Sequence, residues 1–422
     1  MKIRKFISLT CLLFALSVNC IPAQESIRFE HLKYDEIIEK SKQEKKPVLI
    51  YFTGTGCFLC VKMEKNVFPK PEISQFYNTN FINVESFDDS RKPDSATRQL
   101  RRKFNIISNP SFIFIDSTGE IIHKSGYKET REFLLTAHQA LSKQDNYKSW
   151  KQQLKTGKAN ATLMLKYLSA EQKPSLYAET NFVCDAQTEL DRYFDSVPQN
   201  EYLLPDNWEI IRKYVANPYS KVFNYLLQQE KEFSRIYGEQ QVNEVIYTIL
   251  YDAWSGDRGS DAYKKAETFI RSSSHPVAKL RVLQSDYLYR NSTDLKIIFS
   301  NAIETENFIQ TFNINLLKYP YLFNRNNVNT VANAILSNST AKTDHYLKAK
   351  KWMQLILAIP ENEDYELYAT LALACFHTKD YKAAIDAQNK AIQLAIKDEI
   401  EKEELEQYQK KLSEYKQAAL NR

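Results

Sequence analysis

Strand-like apolar runs end near residue 144 of this 422-residue chain, and beyond that point apolar residues recur at helical spacing. A chain that changes period once in this way points to a mixed α/β unit followed by a largely helical one. The length agrees, because 422 residues exceed what one hydrophobic core usually organises. With 43% hydrophobic and 26% charged residues, the composition is globular rather than disordered.

Between Tyr34 and Lys143 the two periods alternate. Tyr34, Ile37, Ile38 and Ser41 share a helical face, Val48 to Phe52 is a short buried strand, and Val61 to Val67 is helical again. Pro69 and Pro71 interrupt the chain, Glu72 to Tyr77 restarts a helix, Phe81 to Val84 reads as strand and Ser95 to Phe104 as helix. Ser111 to Ile115 and Glu120 to His123 form a hairpin about the turn Asp116-Ser117-Thr118-Gly119. A closing helix from Glu129 to Leu141 carries Phe133, Leu134, Ala137 and Leu141 on one side. The expected fold of this part is a central mixed sheet with helices on both faces.

Past Gln144 the helical spacing is plain in Val242, Val245, Ile246, Ile249, Leu250 and Trp254, and only Gly157, Gly238, Gly256 and Gly259 remain of the eight glycines. Breaks at Pro198, Pro205, Pro218, Pro276, Pro320 and Pro360 divide it into hairpin-sized pieces. The segment from Leu367 to Phe376, then Asp380 to Ile385 and Lys390 to Leu394, resembles a tetratricopeptide repeat. Ala372, Ala374, Ala384 and Ala391 stand where that family needs two helices to approach closely. A weaker copy precedes it, with Tyr346, Ala349, Trp352 and Leu355 on its second helix. Leu405, Tyr408, Leu412 and Tyr415 give the last helix one apolar stripe, as in a cap.

The chain starts with Met1-Lys2-Ile3-Arg4-Lys5, an apolar stretch from Phe6 to Val18, and Ile21-Pro22-Ala23, the order of a secretory signal peptide cut after Ala23. Acylation of Cys20 is the competing outcome, which would leave a membrane-anchored lipoprotein. Cleavage removes Lys2, Arg4 and Lys5 and no acid, so the net charge falls from +5 to +2. Nucleic acid is not an expected partner at that balance. No later stretch reaches the ~20 apolar residues of a membrane span, so a soluble periplasmic or secreted protein is expected, in a compartment that permits disulfides.

Of the cysteines left after cleavage, only Cys57 and Cys60 are close in sequence. They follow the strand through Thr53-Gly54-Thr55-Gly56 and open a helix, where unpaired N–H groups and the positive end of the helix dipole favour a thiolate. That is a setting for dithiol redox chemistry. Half of a zinc site and an inert structural disulfide are the other readings, and zinc lacks a second ligand pair. Cys184 and Cys375 lie on apolar helical stretches and read as core residues, whether or not they pair. The six histidines show no ligand spacing, and no metal or cofactor is assigned.

The dithiol after a strand, Asn109-Pro110-Ser111-Phe112 before a later strand, and the hairpin ending in Ser125-Gly126-Tyr127 together resemble the thioredoxin superfamily over residues 30 to 143. Met63-Glu64, Val67-Phe68, Pro71-Glu72-Ile73 and Phe81 to Val84 are most similar to secreted domains related to the C-terminal domain of the bacterial thiol:disulfide interchange protein. The resemblance implies that Cys57 is the exposed nucleophile and Cys60 the resolving thiol, acting on protein thiols or disulfides. It further implies that Pro110 follows a cis bond and that the backbone of Asn109 pairs with an extended substrate. Gly56, Tyr51 and Asn109 depart from the family pattern, which has tryptophan, a buried acid, and threonine or an aliphatic residue there. Glu64 reads as a packing or capping residue.

The expected organisation is a signal peptide (1–23), a thioredoxin-like domain (24–144), a helical domain (145–330) and tetratricopeptide-like helices with a capping helix (331–422). The expected function is an exported thiol:disulfide oxidoreductase whose helical part binds a client or a protein partner. The competing function is a redox-idle binding module whose helical repeats make the interaction.

Overall fold

Strand β1 (Val48–Gly54) is buried along all seven residues, which is why it reads as an unbroken apolar run rather than an alternating one. It lies inside a four-stranded sheet of order β2-β1-β3-β4, with β2 at Ile82–Asp88, β3 at Ser111–Ile115 and β4 at Ile121–Ser125. β1 runs parallel to β2 and antiparallel to β3, and β4 is antiparallel to β3, so the sheet is mixed. These facts come from a computed structural model that describes residues 25–89, 91–92, 94–157, 159–171, 185–255, 257–287 and 301–421. The segment expected to be a signal peptide, with Cys20, and Cys184 lie outside the described residues.

The strand period of two sorts side chains into two cores. On one face Leu49, Tyr51, Phe112 and Phe114 meet Cys60 and Met63 of α2 (Phe58–Asn66), Ile73 and Tyr77 of α3 (Pro71–Asn80), and Phe133 and Ala137 of α5 (Thr130–Leu141). On the other face Val48, Ile50, Phe52, Ile113 and Ile115 meet Ile37 of α1 (Tyr34–Glu44) and Leu100 of α4 (Ser95–Lys103). The first core is aromatic: Tyr51 stacks on Phe112 at 5.0 Å and Tyr77 on Phe133 at 4.6 Å. Because α2 and α3 bridge the parallel pair, the dithiol segment leaves the C-terminal end of β1 and returns over the aromatic face.

Two compact units divide the described residues, the first running to Tyr214 and the second from Val215. Secondary-structure type changes at residue 144, whereas compactness changes seventy residues later. The cause is local. Buried His123 of β4 accepts the Tyr147 N–H at Nδ1 (3.1 Å), and its ring meets Trp150 edge-on at 5.3 Å, which seats α6 (Tyr147–Lys155) on the sheet edge. Lys124 of β4 pairs with Glu171 at 3.0 Å, just past α7 (Ala161–Ala170).

The second unit is helical throughout its described length. Several prolines that break the pattern prove to be first residues of helical segments: Pro276 opens Pro276–Tyr287, and Pro320 and Pro360 open short 3-10 turns. The missing N–H of proline falls where a helix has no partner for it. Helices Tyr365–His377 and Tyr381–Lys397 form a hairpin in which Ala372, Ala374, Ala384 and Ala391 are fully buried, and Tyr415 of Lys402–Leu420 packs onto the same core. In Thr343–Leu357, Ala349 and Trp352 are fully buried. This arrangement is consistent with helical repeats. No helix among the described residues is long and apolar enough to cross a membrane.

Candidate active site

The turn after β1 is tight because Gly54 lets three segments approach. A Cβ added there would lie 2.7 Å from the Asp88 carbonyl oxygen at the end of β2 and 3.0 Å from Asn109 Nδ2. The Thr55 N–H donates to that same carbonyl at 3.1 Å, and Gly56 takes the left-handed conformation (φ +78°) that glycine adopts freely. The chain then enters α2 with Cys57 as its N-cap, the Cys57 sulfur accepting the Cys60 N–H at 3.1 Å. Helix spacing alone starts the helix at Val61. It starts three residues earlier, because Phe58 and Leu59 occupy its first turn while remaining exposed.

Cys57 and Cys60 are joined in a disulfide, with Cα atoms 5.3 Å apart. Cys60 is 1% exposed and sits in the aromatic core, while Cys57 is half-buried and Phe58 beside it is 77% exposed. The pair is therefore asymmetric, with one sulfur within reach from outside and one behind it. When the bond opens, a thiolate on Cys57 lies at the positive end of α2, where backbone N–H groups stabilise it.

Asn109 and Pro110 stand at the same end of the sheet. The β1–β3 ladder begins with Phe52 opposite Ser111, so both residues fall just beyond it, level with the turn that leads to Cys57. The Asn109–Pro110 peptide is cis, Pro110 is buried and Asn109 half-buried. The Asn109 side chain is held through its Oδ1, which accepts from Arg101 Nη1 at 2.9 Å, while its Nδ2 lies beside Gly54. Neither Arg101 nor Asp88, which approaches Arg101 Nε at 3.6 Å, is marked by any local motif.

Polar groups flank α2 on two sides. The buried Tyr51 hydroxyl donates to Glu64 Oε1 at 2.9 Å, so Glu64 is tied to the sheet rather than packed or capping. Burial pushes the Tyr51 phenol up and keeps it protonated, and the Glu64 and Glu85 charges add to this. Glu85, across from Tyr51 on β2, has its own carboxyl raised by burial. On the other side Lys62 pairs with Glu129 at 2.8 Å, and the Tyr127 hydroxyl donates to the same carboxylate. Lys62 is raised by its bond to Glu129, and Glu129 is lowered by it.

Cys375 takes no part in this site. It is buried in the second unit, where loss of solvent pushes its thiol up to about 11.

Residues 34–141 match the family described as a thioredoxin-like domain. That segment is a thioredoxin-like domain. It holds both cysteines, Asn109 and Pro110. Among curated proteins, the chain is 26% identical over 101 residues to the disulfide bond reductase DsbH of Chlamydia pneumoniae, covering 22% of this chain and 61% of that protein. It is 29% identical over 128 residues to the thioredoxin-related protein DsbJ of Chlamydia pneumoniae, covering 28% and 37%. The chain thus spans about three fifths and just over a third of these two relatives. Among solved structures, a DsbH oxidoreductase (24% identity, 28% of this chain and 88% of that one, TM-score 0.26) is similar. So is a putative disulphide-isomerase from Bacteroides thetaiotaomicron (24% identity, 28% and 96%, TM-score 0.25).

Proposed function

We propose that this protein is an exported thiol:disulfide oxidoreductase that exchanges its Cys57–Cys60 pair with disulfides of client proteins. The observation that carries the reading is the asymmetry of the bonded pair, with half-buried Cys57 capping α2 and Cys60 enclosed behind it. In the reduced state the Cys57 thiolate attacks one client sulfur, forming a mixed disulfide and releasing the other client sulfur, which takes a proton. The Cys60 thiolate then attacks Cys57, closing the intramolecular disulfide and releasing the second client thiol. Two electrons pass from the dithiol to the client, and the sequence run backwards oxidises a client instead.

Asn109 and Pro110 bind the client strand in this reading, and residues 24–144 carry the chemistry. The name of DsbH, a disulfide bond reductase, is in keeping with protein disulfides as substrate. Export rests on the basic, apolar and small-residue order of residues 1–23. Residues 145–330 and the tetratricopeptide-like helices of 331–422 recruit the client or a partner protein. A cavity of about 560 Å³ among the last helices, lined by Asn333, Thr370, Gln388 and Tyr408, supports that role.

The test is turnover of a disulfide-bonded peptide by the full chain in the presence of a dithiol reductant. Wild type is expected to accelerate reduction, and Cys57→Ser to fall to the uncatalysed rate. Equal rates for the two would remove the oxidoreductase reading and leave the binding module. The reduction potential of the pair then sets direction, near about −270 mV for a reductant and near about −120 mV for an oxidant.

A further inference from the structure

We propose that Arg101 is a positioning residue that sets affinity for peptide substrates by fixing Asn109, an inference that rests on the exchange reading above. The main chain at Asn109 is open: neither its N–H nor its C=O has a hydrogen-bond partner among the described residues. A strand laid beside it can pair with both groups, the mode by which extended peptides add to a sheet edge. Such pairing needs the peptide planes at 109 held in one orientation, yet Asn109 lies outside the ladder, which starts at Ser111.

The side chain supplies the missing anchor. Arg101 Nη1 donates to Asn109 Oδ1 at 2.9 Å, and Asn109 Nδ2 lies beside Gly54. Arg101 is itself fixed, with a side chain 16% exposed, Nε 3.6 Å from Asp88 Oδ2, and its helix anchored by neighbouring Leu100 in the second core. The Asp88 carbonyl in turn receives the Thr55 N–H, two residues before Cys57. One guanidinium therefore joins the residue before Pro110, the end of β2 and the turn that presents the dithiol. A planar fork with several donors can hold two partners at once, which an ammonium cannot do in the same geometry.

Asp88 balances the Arg101 charge, so a variant that keeps a cation at position 101 tests substrate geometry without altering the charge near Cys57. Arg101→Gln in the full chain is expected to raise KM for a disulfide-bonded peptide about tenfold with kcat within twofold. The rate with hydroxyethyl disulfide, which has no peptide strand, is expected to stay within twofold of wild type. Arg101→Lys, which keeps the charge opposite Asp88 and loses the planar fork, is expected to give the same split with the Cys57–Cys60 reduction potential at its wild-type value. An unchanged peptide KM in both variants, or an equal loss on both disulfides, would overturn the assignment. Inactivity of the wild type toward both disulfides would instead overturn the exchange reading, and this assignment with it.

Discussion

The hydroxyl of Tyr51 donates to Glu64 Oε1 at 2.9 Å, tying the middle of β1 to the turn of α2 that follows Cys60. The helix that carries the dithiol is thus held to the sheet by a polar contact as well as by the packing of Cys60 and Met63. Tyr51→Phe keeps the ring on Phe112 and removes the hydroxyl with its contacts to Glu64 and Thr53. A loss of about 1 kcal/mol is expected, the usual value of one such hydrogen bond. Urea unfolding of the oxidised full chain checks it, and an unchanged midpoint would show that the bond contributes nothing.

Gly54 is required by proximity rather than by a left-handed backbone. In Gly54→Ala the new Cβ meets the Asp88 carbonyl oxygen at 2.7 Å, and backbone cannot swing aside as a side chain can. A loss of about 1–3 kcal/mol is expected, as for overpacking elsewhere, together with a weakened Thr55 N–H to Asp88 bond. The unfolding midpoint gives the first, and faster amide exchange at Thr55 gives the second.

His123 makes the first unit sensitive to acid. Burial, the dominant cause, lowers its pKa from 6.5 to about 4, with the Lys128 charge adding to it and Asp145 opposing. Because the unfolded chain takes up the proton first, its stabilising contribution is complete above pH 6.5. It is lost as pH falls from 6.5 towards 4, by an amount on the order of 3 kcal/mol. His123→Gln is expected to flatten this part of the stability profile, which denaturant midpoints from pH 4 to 7.5 would register. An identical slope in the variant would assign the acid limb to other groups.

The sheet was legible because β1 and β3 are buried on both faces, so Val48 to Phe52 and Ser111 to Ile115 appear as unbroken apolar runs. The placement of the cysteine pair was legible for a related reason: a strand and a glycine turn ahead of it put Cys57 and Cys60 at the start of a helix. The start of α2 was harder to read. Phe58 and Leu59 are apolar but exposed, so they do not extend the helical stripe that Met63 and Val67 begin. Arg101 and Asp88 could not be found at all, since residues 54, 88, 101 and 109 meet only after β1, β2 and β3 have paired. The seating of α6 depends likewise on His123, whose role as acceptor for the Tyr147 N–H has no local signature. Glu64 reads as a packing or capping residue from sequence because its partner, Tyr51, lies on a strand thirteen residues earlier.

Trapping tests the exchange site most directly. Reduced Cys60→Ser chain is mixed with a disulfide-bonded peptide, quenched in acid and digested for mass spectrometry. With no thiol at position 60 to resolve it, a peptide adduct is expected at Cys57 and absent from Cys375, whose thiol burial pushes up to about 11. Absence of a Cys57 adduct, or adducts that persist in the Cys57→Ser/Cys60→Ser chain at the same yield, would contradict a dithiol exchange site at the head of α2.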